Sequence, residues 1–376
     1  MRWLHPMLAG HCLVMAVSPL RAQDEDRPLY KSSYRIINVH RHCGQPSAAM
    51  VRAELEVLDR VGVCALVILD GGTTDRNLPE WLALRKQFPG RLIVFSNVAW
   101  RRIKQEKFFE DIVSEVTAQH RGGSQGVKIF KDLGMTIREP DGKLLKGDDP
   151  RLDPFWARCG ELGLPVLLHM ADPREYWYPL TPNSFHYGMR TEGDQHYDRD
   201  KMPSWEELIR QRDHILAKHP KTTFIGAHMG SLTFDLDQLG KTFDKYPNFY
   251  VDCSARTLIL GRLNPKAVRD FFVKYQDRIL FGTDSSVLNN VKPDDEKAVK
   301  EWQDKAARFY SRHLEYYETD RLGLMEPYGW GKEWLRLTGV MLPPAVLEKF
   351  YHANAEKLLP GLAGPDAKPR WVLRKC

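Results

Sequence analysis

The chain has 376 residues, 43% hydrophobic and 28% charged, which excludes a disordered protein and suits one large barrel domain or two small ones. Its net charge of +6 is spread over 55 basic and 49 acidic residues without a long basic run, so nucleic acid is not an expected partner. Residues 1–22 read as an export signal, with Arg2 near the start, a mostly apolar stretch over 7–20, and Ala22 ahead of Asp24-Glu25-Asp26. That predicts a secreted or periplasmic protein; a ragged, uncleaved N-terminus interrupted by His5 and His11 is the alternative. No later stretch is apolar for the length of a membrane-spanning helix, so the protein is not expected to be integral to a membrane. The six cysteines, Cys12, Cys43, Cys64, Cys159, Cys253 and Cys376, are scattered without a CxxC, so no dense disulfide framework is expected.

Short β-rich runs then alternate with helical patterns. The runs fall at 36–39, 64–69, 92–97, 126–130, 165–169, 223–227, 249–252 and 279–282. Between them, 48–61 places Leu55, Leu58 and Val61 on one helical face, and 205–218 does the same with Leu208, Ile209, Ile215 and Leu216. Eight strands alternating with helices predict a single-domain (β/α)8 TIM barrel, with a doubly wound open sheet as runner-up. The absence of a GxGxxG turn after the first strand counts against a dinucleotide-binding sheet. A long insertion over 170–203 follows the fifth strand. A charged helix over 295–313, an aromatic stretch and a last helix over 344–359 form a C-terminal extension, and 361–376 is a loose tail.

In such a barrel the chemistry sits at the C-terminal ends of the strands. The first strand runs Ile36-Ile37-Asn38-Val39-His40-Arg41-His42, and strand alternation sends both imidazoles to one face. The fourth carries Lys128 and Lys131, the fifth ends in His169, the sixth in His228 and the eighth in Asp284. Each has an ordinary alternative: a histidine after an apolar strand packs into the core or rim, an aspartate after Gly-Thr caps a helix, and a strand-end lysine snorkels to solvent. Together, imidazoles and a carboxylate at one barrel mouth make a ligand set suited to zinc, manganese or iron. Cys43 beside the pair reads as packing rather than as a thiolate.

This order, HxH after strand one, His after strands five and six and Asp after strand eight, resembles the amidohydrolase superfamily of metal-dependent hydrolases. The phrases Gly226-Ala227-His228-Met229-Gly230, Phe281-Gly282-Thr283-Asp284 and Phe350-Tyr351-His352-Ala353-Asn354-Ala355-Glu356-Lys357-Leu358-Leu359 are similar to its amidohydrolase-related (amidohydrolase 2) branch, which includes non-oxidative decarboxylases. The resemblance spans 34–360. It implies a metal held by His40, His42, His169 and Asp284, zinc first and manganese or iron as alternatives. His228 is then either a catalytic acid/base or a ligand to a second ion. Lys128 becomes a metal ligand only if carboxylated in a binuclear site; otherwise Lys128 and Lys131 are free to attract an anionic substrate group. One departure is Asn38, where the family commonly has Asp, which alters the expected support of the first histidine.

A divalent ion lowers the pKa of bound water from about 15.7 towards about 7. Asp284 would accept the proton, and His228 would polarise the substrate or protonate its leaving group. The expected reaction is hydrolysis of an amide, lactone or ester bond in a small, anionic substrate. Decarboxylation is the alternative with the same residues, and a metal-binding barrel that has lost catalysis is the second alternative. Substrate contacts are expected from Lys131, Arg256, Trp177, Tyr178, His186 and Arg190, with Arg101 and Arg102 as weaker candidates. The insertion at 170–203 is either a lid or a packed excursion of its own aromatics, and Arg256 either meets a carboxylate of the substrate or makes a structural salt bridge. Barrels of this kind often pair through outer helices, so a homo-oligomer is a possible state.

Overall fold

The computed structural model describes residues 27–184, 187, 197–198, 200–286, 291, 294–328 and 336–362. The signal-like segment 1–22, the loop residues His186 and Arg190, and the tail beyond 362 lie outside the described residues.

Runs rich in Ile, Val, Leu and Phe form eight parallel strands: β1 (Ile36–His42), β2 (Val63–Ile68), β3 (Leu92–Asn97), β4 (Gly126–Ile129), β5 (Val166–Leu168), β6 (Phe224–Gly226), β7 (Phe249–Asp252) and β8 (Ile279–Leu280). Each pairs with the next. The ring draws together where the Val39 N–H donates to the Phe281 carbonyl at 2.9 Å, and where β9 (Ser285–Ser286) pairs with β1 at Arg41 and His42. This is the (β/α)8 barrel expected from the alternation. Helices Ala48–Val61, Leu78–Gln87, Phe108–Gly122, Asp153–Glu161, Trp205–Lys218, Leu236–Lys245 and Pro265–Lys274 lie between the strands. Two of them match the expected ranges residue for residue. The first begins where Ser47 accepts from the Met50 N–H and stops at Gly62, whose φ of 85° turns the chain into β2.

The pleat divides the apolar residues into two layers. Ile37, Val39, Ala65, Val67, Ile93, Leu167, Ile225 and Leu280 fill the barrel, while Leu66, Ile68, Val94, Val166 and Val251 face outwards among the helices. On this phase His40 and His42 would point out of the barrel with Asn38. A bulge reverses them: between Asn38 and Arg41 two residues of β1 oppose one of β2, since Asn38 pairs with Leu66 and Arg41 with Ile68. The backbone N–H of His40 is satisfied by the Asn38 side-chain oxygen at 3.1 Å, which also accepts from the Thr283 N–H at 3.1 Å. The Asn38 amide nitrogen donates to Thr283 Oγ1 and Tyr310 Oη at 2.8 and 2.9 Å. Asn38 therefore supports the backbone of the bulge and joins β1 to the end of β8.

Beyond β8, the helix expected over 295–313 continues through the aromatic stretch as Glu296–Glu318, because Tyr310, Leu314 and Tyr317 recur at helical spacing and are fully buried. The terminal helix is Pro344–Glu348, a π-helical turn Lys349–Ala353, and Asn354–Leu358. The π turn leaves the Phe350 carbonyl to accept the Phe281 N–H at 3.0 Å, which pins the end of β8. Among the described residues no helix is long and apolar enough to cross a membrane.

Candidate metal centre

The bulge delivers His40 and His42 to the barrel mouth, their rings 5.3 Å apart. Asp284 comes from the turn after β8, in left-handed backbone (φ 53°) held by the bond from its N–H to the His40 carbonyl at 2.9 Å. Its Oδ1 lies 3.3 Å from Nε2 of His40 and 3.2 Å from Nε2 of His42, and its Oδ2 lies 3.7 Å from Nε2 of His228. His228 follows β6, also in left-handed backbone (φ 59°), and its ring lies between those of His40 and His169, with centroids 4.9 and 4.5 Å away. The structure thus gathers His40, His42 and Asp284 into one group of converging donor atoms. His169, the fourth expected ligand, is not in that group; its ring lies edge-on against that of His228 at 4.5 Å.

Both buried histidines are anchored through Nδ1. Nδ1 of His40 meets Asp252 Oδ2 at 2.8 Å and Ser254 Oγ at 2.9 Å. Nδ1 of His228 donates to the Ser254 carbonyl at 2.8 Å. Anchoring each ring through Nδ1 turns each Nε2 towards Asp284 and the mouth. His42 is held from the other side, its Nδ1 paired with Asp70, whose second oxygen accepts the Gly44 N–H at 2.9 Å. The expected weakness at Asn38 is not what the structure shows: the His40 ring takes its support from Asp252 and Ser254.

The electrostatics follow from burial. Burial opposes charge on His42, but hydrogen bonds to Asp284 and Asp70 outweigh it and raise the group to about 9. Burial lowers His169 to about 4 and drives His228 well below its usual range, so both are neutral at pH 7. Burial raises the Asp284 carboxyl, yet the imidazoles around it, among them the charged His42 whose Nε2 lies 3.2 Å away, outweigh it and hold it well below the usual carboxylate range. Lys128 is buried with no hydrogen-bond partner for Nζ, and burial pushes it down to about 8 against the attraction of Asp252, Asp284 and Asp70.

The donor set fits a divalent ion. Ligand atoms about 2.0–2.2 Å from one tetrahedral ion lie about 3.3 Å from one another, close to the 3.3 and 3.2 Å separations of Asp284 Oδ1 from the two Nε2 atoms. Nε2 of His40 and of His169 are buried without a hydrogen bond, an arrangement that metal ligation resolves.

Other expected residues divide. Arg256 is buried and donates to the Ala255 carbonyl at 2.7 Å, with no salt bridge among the described residues. Lys131 is not a free cation, because Asp172 holds its Nζ at 2.5 Å and also accepts from the Tyr197 hydroxyl. Trp177 is buried, donates to the Pro203 carbonyl at 2.8 Å and packs on Tyr197 at 4.8 Å, so it belongs to the packed part of the insertion. Tyr178 is 40% exposed. Arg101 and Arg102 pair with Asp75 at the surface. Cys43, Cys64, Cys159 and Cys253 are free, and burial pushes the Cys43 thiol up, away from a thiolate. Asp70, Asp252, Asp172 and Ser254 were missed by strand-end reading, although Asp70 and Asp252 close their strands in the same way as the residues it selected.

Comparison with known families decides the assignment, since the family model described as Amidohydrolase matches residues 38–361. The chain belongs to the amidohydrolase family. Metal dependence is typical of that family, and this amidohydrolase carries the histidines and carboxylates for it. No protein of curated function matches the sequence. Among solved structures, the amidohydrolase is similar to a 2,6-dihydroxybenzoate decarboxylase from Rhizobium (17% identity, TM-score 0.46, covering 86% of this chain and 98% of that one). It is also similar to a 4-oxalomesaconate hydratase from Rhodopseudomonas palustris (12% identity, TM-score 0.49, 87% and 96%). A third likeness is a 5-carboxyvanillate decarboxylase from Novosphingobium aromaticivorans with bound manganese (15% identity, TM-score 0.44, 88% and 99%).

Proposed function

We propose that this amidohydrolase is a metal-dependent hydrolase that cleaves an amide, lactone or ester bond in a small anionic substrate, outside the cytoplasm. The observation that carries the reading is the position of Asp284, one carboxylate touching the His40 and His42 nitrogens at 3.3 and 3.2 Å while facing His228 at 3.7 Å. His40, His42 and Asp284, with His169 beside them, would hold the ion, zinc first and manganese or iron next. The ion supplies Lewis acidity and a more acidic water.

The remaining work falls to side chains of the chain itself. Asp284, ionised and within reach of the ligand nitrogens, accepts the proton of the attacking water. His228 is neutral with its proton on Nδ1, so its Nε2 receives that proton from Asp284 and delivers it to the leaving group. Lys128 and Arg256, buried cations without a salt-bridge partner among the described residues, hold the anionic group of the substrate. In this reading Lys128 is not carboxylated.

Decarboxylation is the second reading, favoured by the burial of His228, 3% exposed, which limits the water a hydrolase must admit. Against it, cations beside a departing carboxylate stabilise the charged ground state more than the neutral product. The test is a panel of lactones, amides, esters and aromatic or unsaturated carboxylic acids, with carbon dioxide followed throughout. Hydrolysis predicts products whose summed mass exceeds that of the substrate by one water, and no gas. Carbon dioxide release without water addition would replace it with the second reading.

A further inference from the structure

Tyr328 comes from the C-terminal extension, shortly after the hairpin strand Leu324–Met325, yet its hydroxyl reaches the catalytic face of the barrel. The hydroxyl accepts the Ala255 N–H at 2.9 Å and donates to the Thr283 carbonyl. One oxygen therefore joins the loop after β7 to the loop after β8. Both joined peptides adjoin strained backbone, since Ala255 and Asp284 each have a φ of 53°. Residues other than glycine stay in this region only where their surroundings hold them. Ala255 leads directly into Arg256, and the Thr283 carbonyl belongs to the peptide bond that begins Asp284.

Tyr328 is itself anchored. Its ring lies 5.0 Å from Phe309 and 5.3 Å from His313, both on helix Glu296–Glu318. Its backbone N–H donates to the buried Glu326 carboxylate at 2.8 Å, and His313 Nε2 lies 3.3 Å from its hydroxyl. A rigid helix outside the barrel thus carries a hydroxyl to the two turns that present Asp284 and Arg256.

We propose that Tyr328 is a positioning residue, whose hydroxyl bridge between Ala255 and Thr283 sets the Asp284 carboxylate against His40 and His42. The inference rests on Asp284 being a metal ligand, as the proposed function has it. Removing the hydroxyl leaves the Ala255 N–H and the Thr283 carbonyl short of a partner and releases the turn that aims the ligand. The ring contacts remain in Tyr328→Phe, so the helix stays docked.

The test compares wild type, Tyr328→Phe, Asp284→Asn and Leu314→Ala. Leu314 is a fully buried residue of the same helix, and its truncation destabilises the docking without touching the bridge. Zinc affinity is read by competition with a chromophoric chelator, and amide exchange at Ala255 by mass spectrometry. Tyr328→Phe is expected to weaken zinc binding about 10–100-fold and to speed exchange at Ala255. Leu314→Ala is expected to lower the thermal midpoint further while binding zinc as wild type does. Wild-type zinc affinity in Tyr328→Phe overturns the proposal, whether or not exchange at Ala255 changes, and so does an equal loss of affinity in Leu314→Ala. If wild type binds no zinc, or Asp284→Asn binds it as tightly as wild type, the ligand assignment itself falls and the positioning role falls with it.

Discussion

Asp284→Asn is expected to lower kcat about 10²–10⁴-fold on the substrate found in the assay panel, with little change in the thermal midpoint of the metal-free protein. Asparagine keeps the shape of the side chain but carries no charge and accepts no proton. Asp284 is the carboxylate shared by His40, His42 and His228, and its ionised form is favoured there over the pull of burial. Its side chain is 27% exposed, so the substitution opens no cavity in the core. Measuring kcat, KM and the unfolding curve together separates loss of chemistry from loss of fold. A kcat within a factor of about three of wild type would remove Asp284 from the mechanism, since that difference lies far below the range for a lost general base.

The second large effect lies behind the site. Arg41, between the two histidines of β1, points away from them into the helix layer, where Nε and Nη2 donate to the two oxygens of Glu54 at 3.0 and 2.8 Å. Both side chains are almost completely buried. Glu54→Ala leaves an unpaired guanidinium in that interior and is expected to cost about 3–5 kcal/mol of unfolding free energy, measured by denaturant titration. The double replacement Arg41→Met with Glu54→Leu is expected to recover most of that loss, because no uncompensated charge remains. A cost below about 1 kcal/mol, the range of an exposed pair, would show that the pair does not hold β1 to helix Ala48–Val61.

Much of the barrel was legible because its signals are local. Alternation of apolar runs and amphipathic helices placed all eight strands, and the ends of those strands pointed to His40, His42, His169, His228 and Asp284. What was not legible depends on pairing between distant segments. The pleat of β1 alone sends His40 and His42 to the wrong side of the barrel, and only the bulge against β2 turns them inwards. That bulge is stabilised by Asn38, a residue that looked like a defect in the motif and proves to be hydrogen-bonded through every polar atom of its side chain. Asp70 and Asp252 end their strands after apolar runs, and a rule applied evenly to carboxylates would have found them. Tyr328 has no such signal, since nothing in its surroundings indicates that the C-terminal extension folds back to the catalytic face. The insertion after β5 was ambiguous for the same reason: Lys131 and Trp177 are committed to Asp172 and Pro203 by contacts across that loop.

The central claim is that His40, His42 and Asp284, with His169 beside them, form the metal centre of an enzyme. Its most direct test is the metal content of purified wild-type protein and of His40→Ala, measured by mass spectrometry of the elements with folding checked by circular dichroism. The account predicts about one divalent transition-metal ion per wild-type chain, bound tightly enough to survive purification, and a folded His40→Ala that has lost most of it. Wild-type protein without stoichiometric metal, or a His40→Ala variant with unchanged metal content and activity, would contradict it.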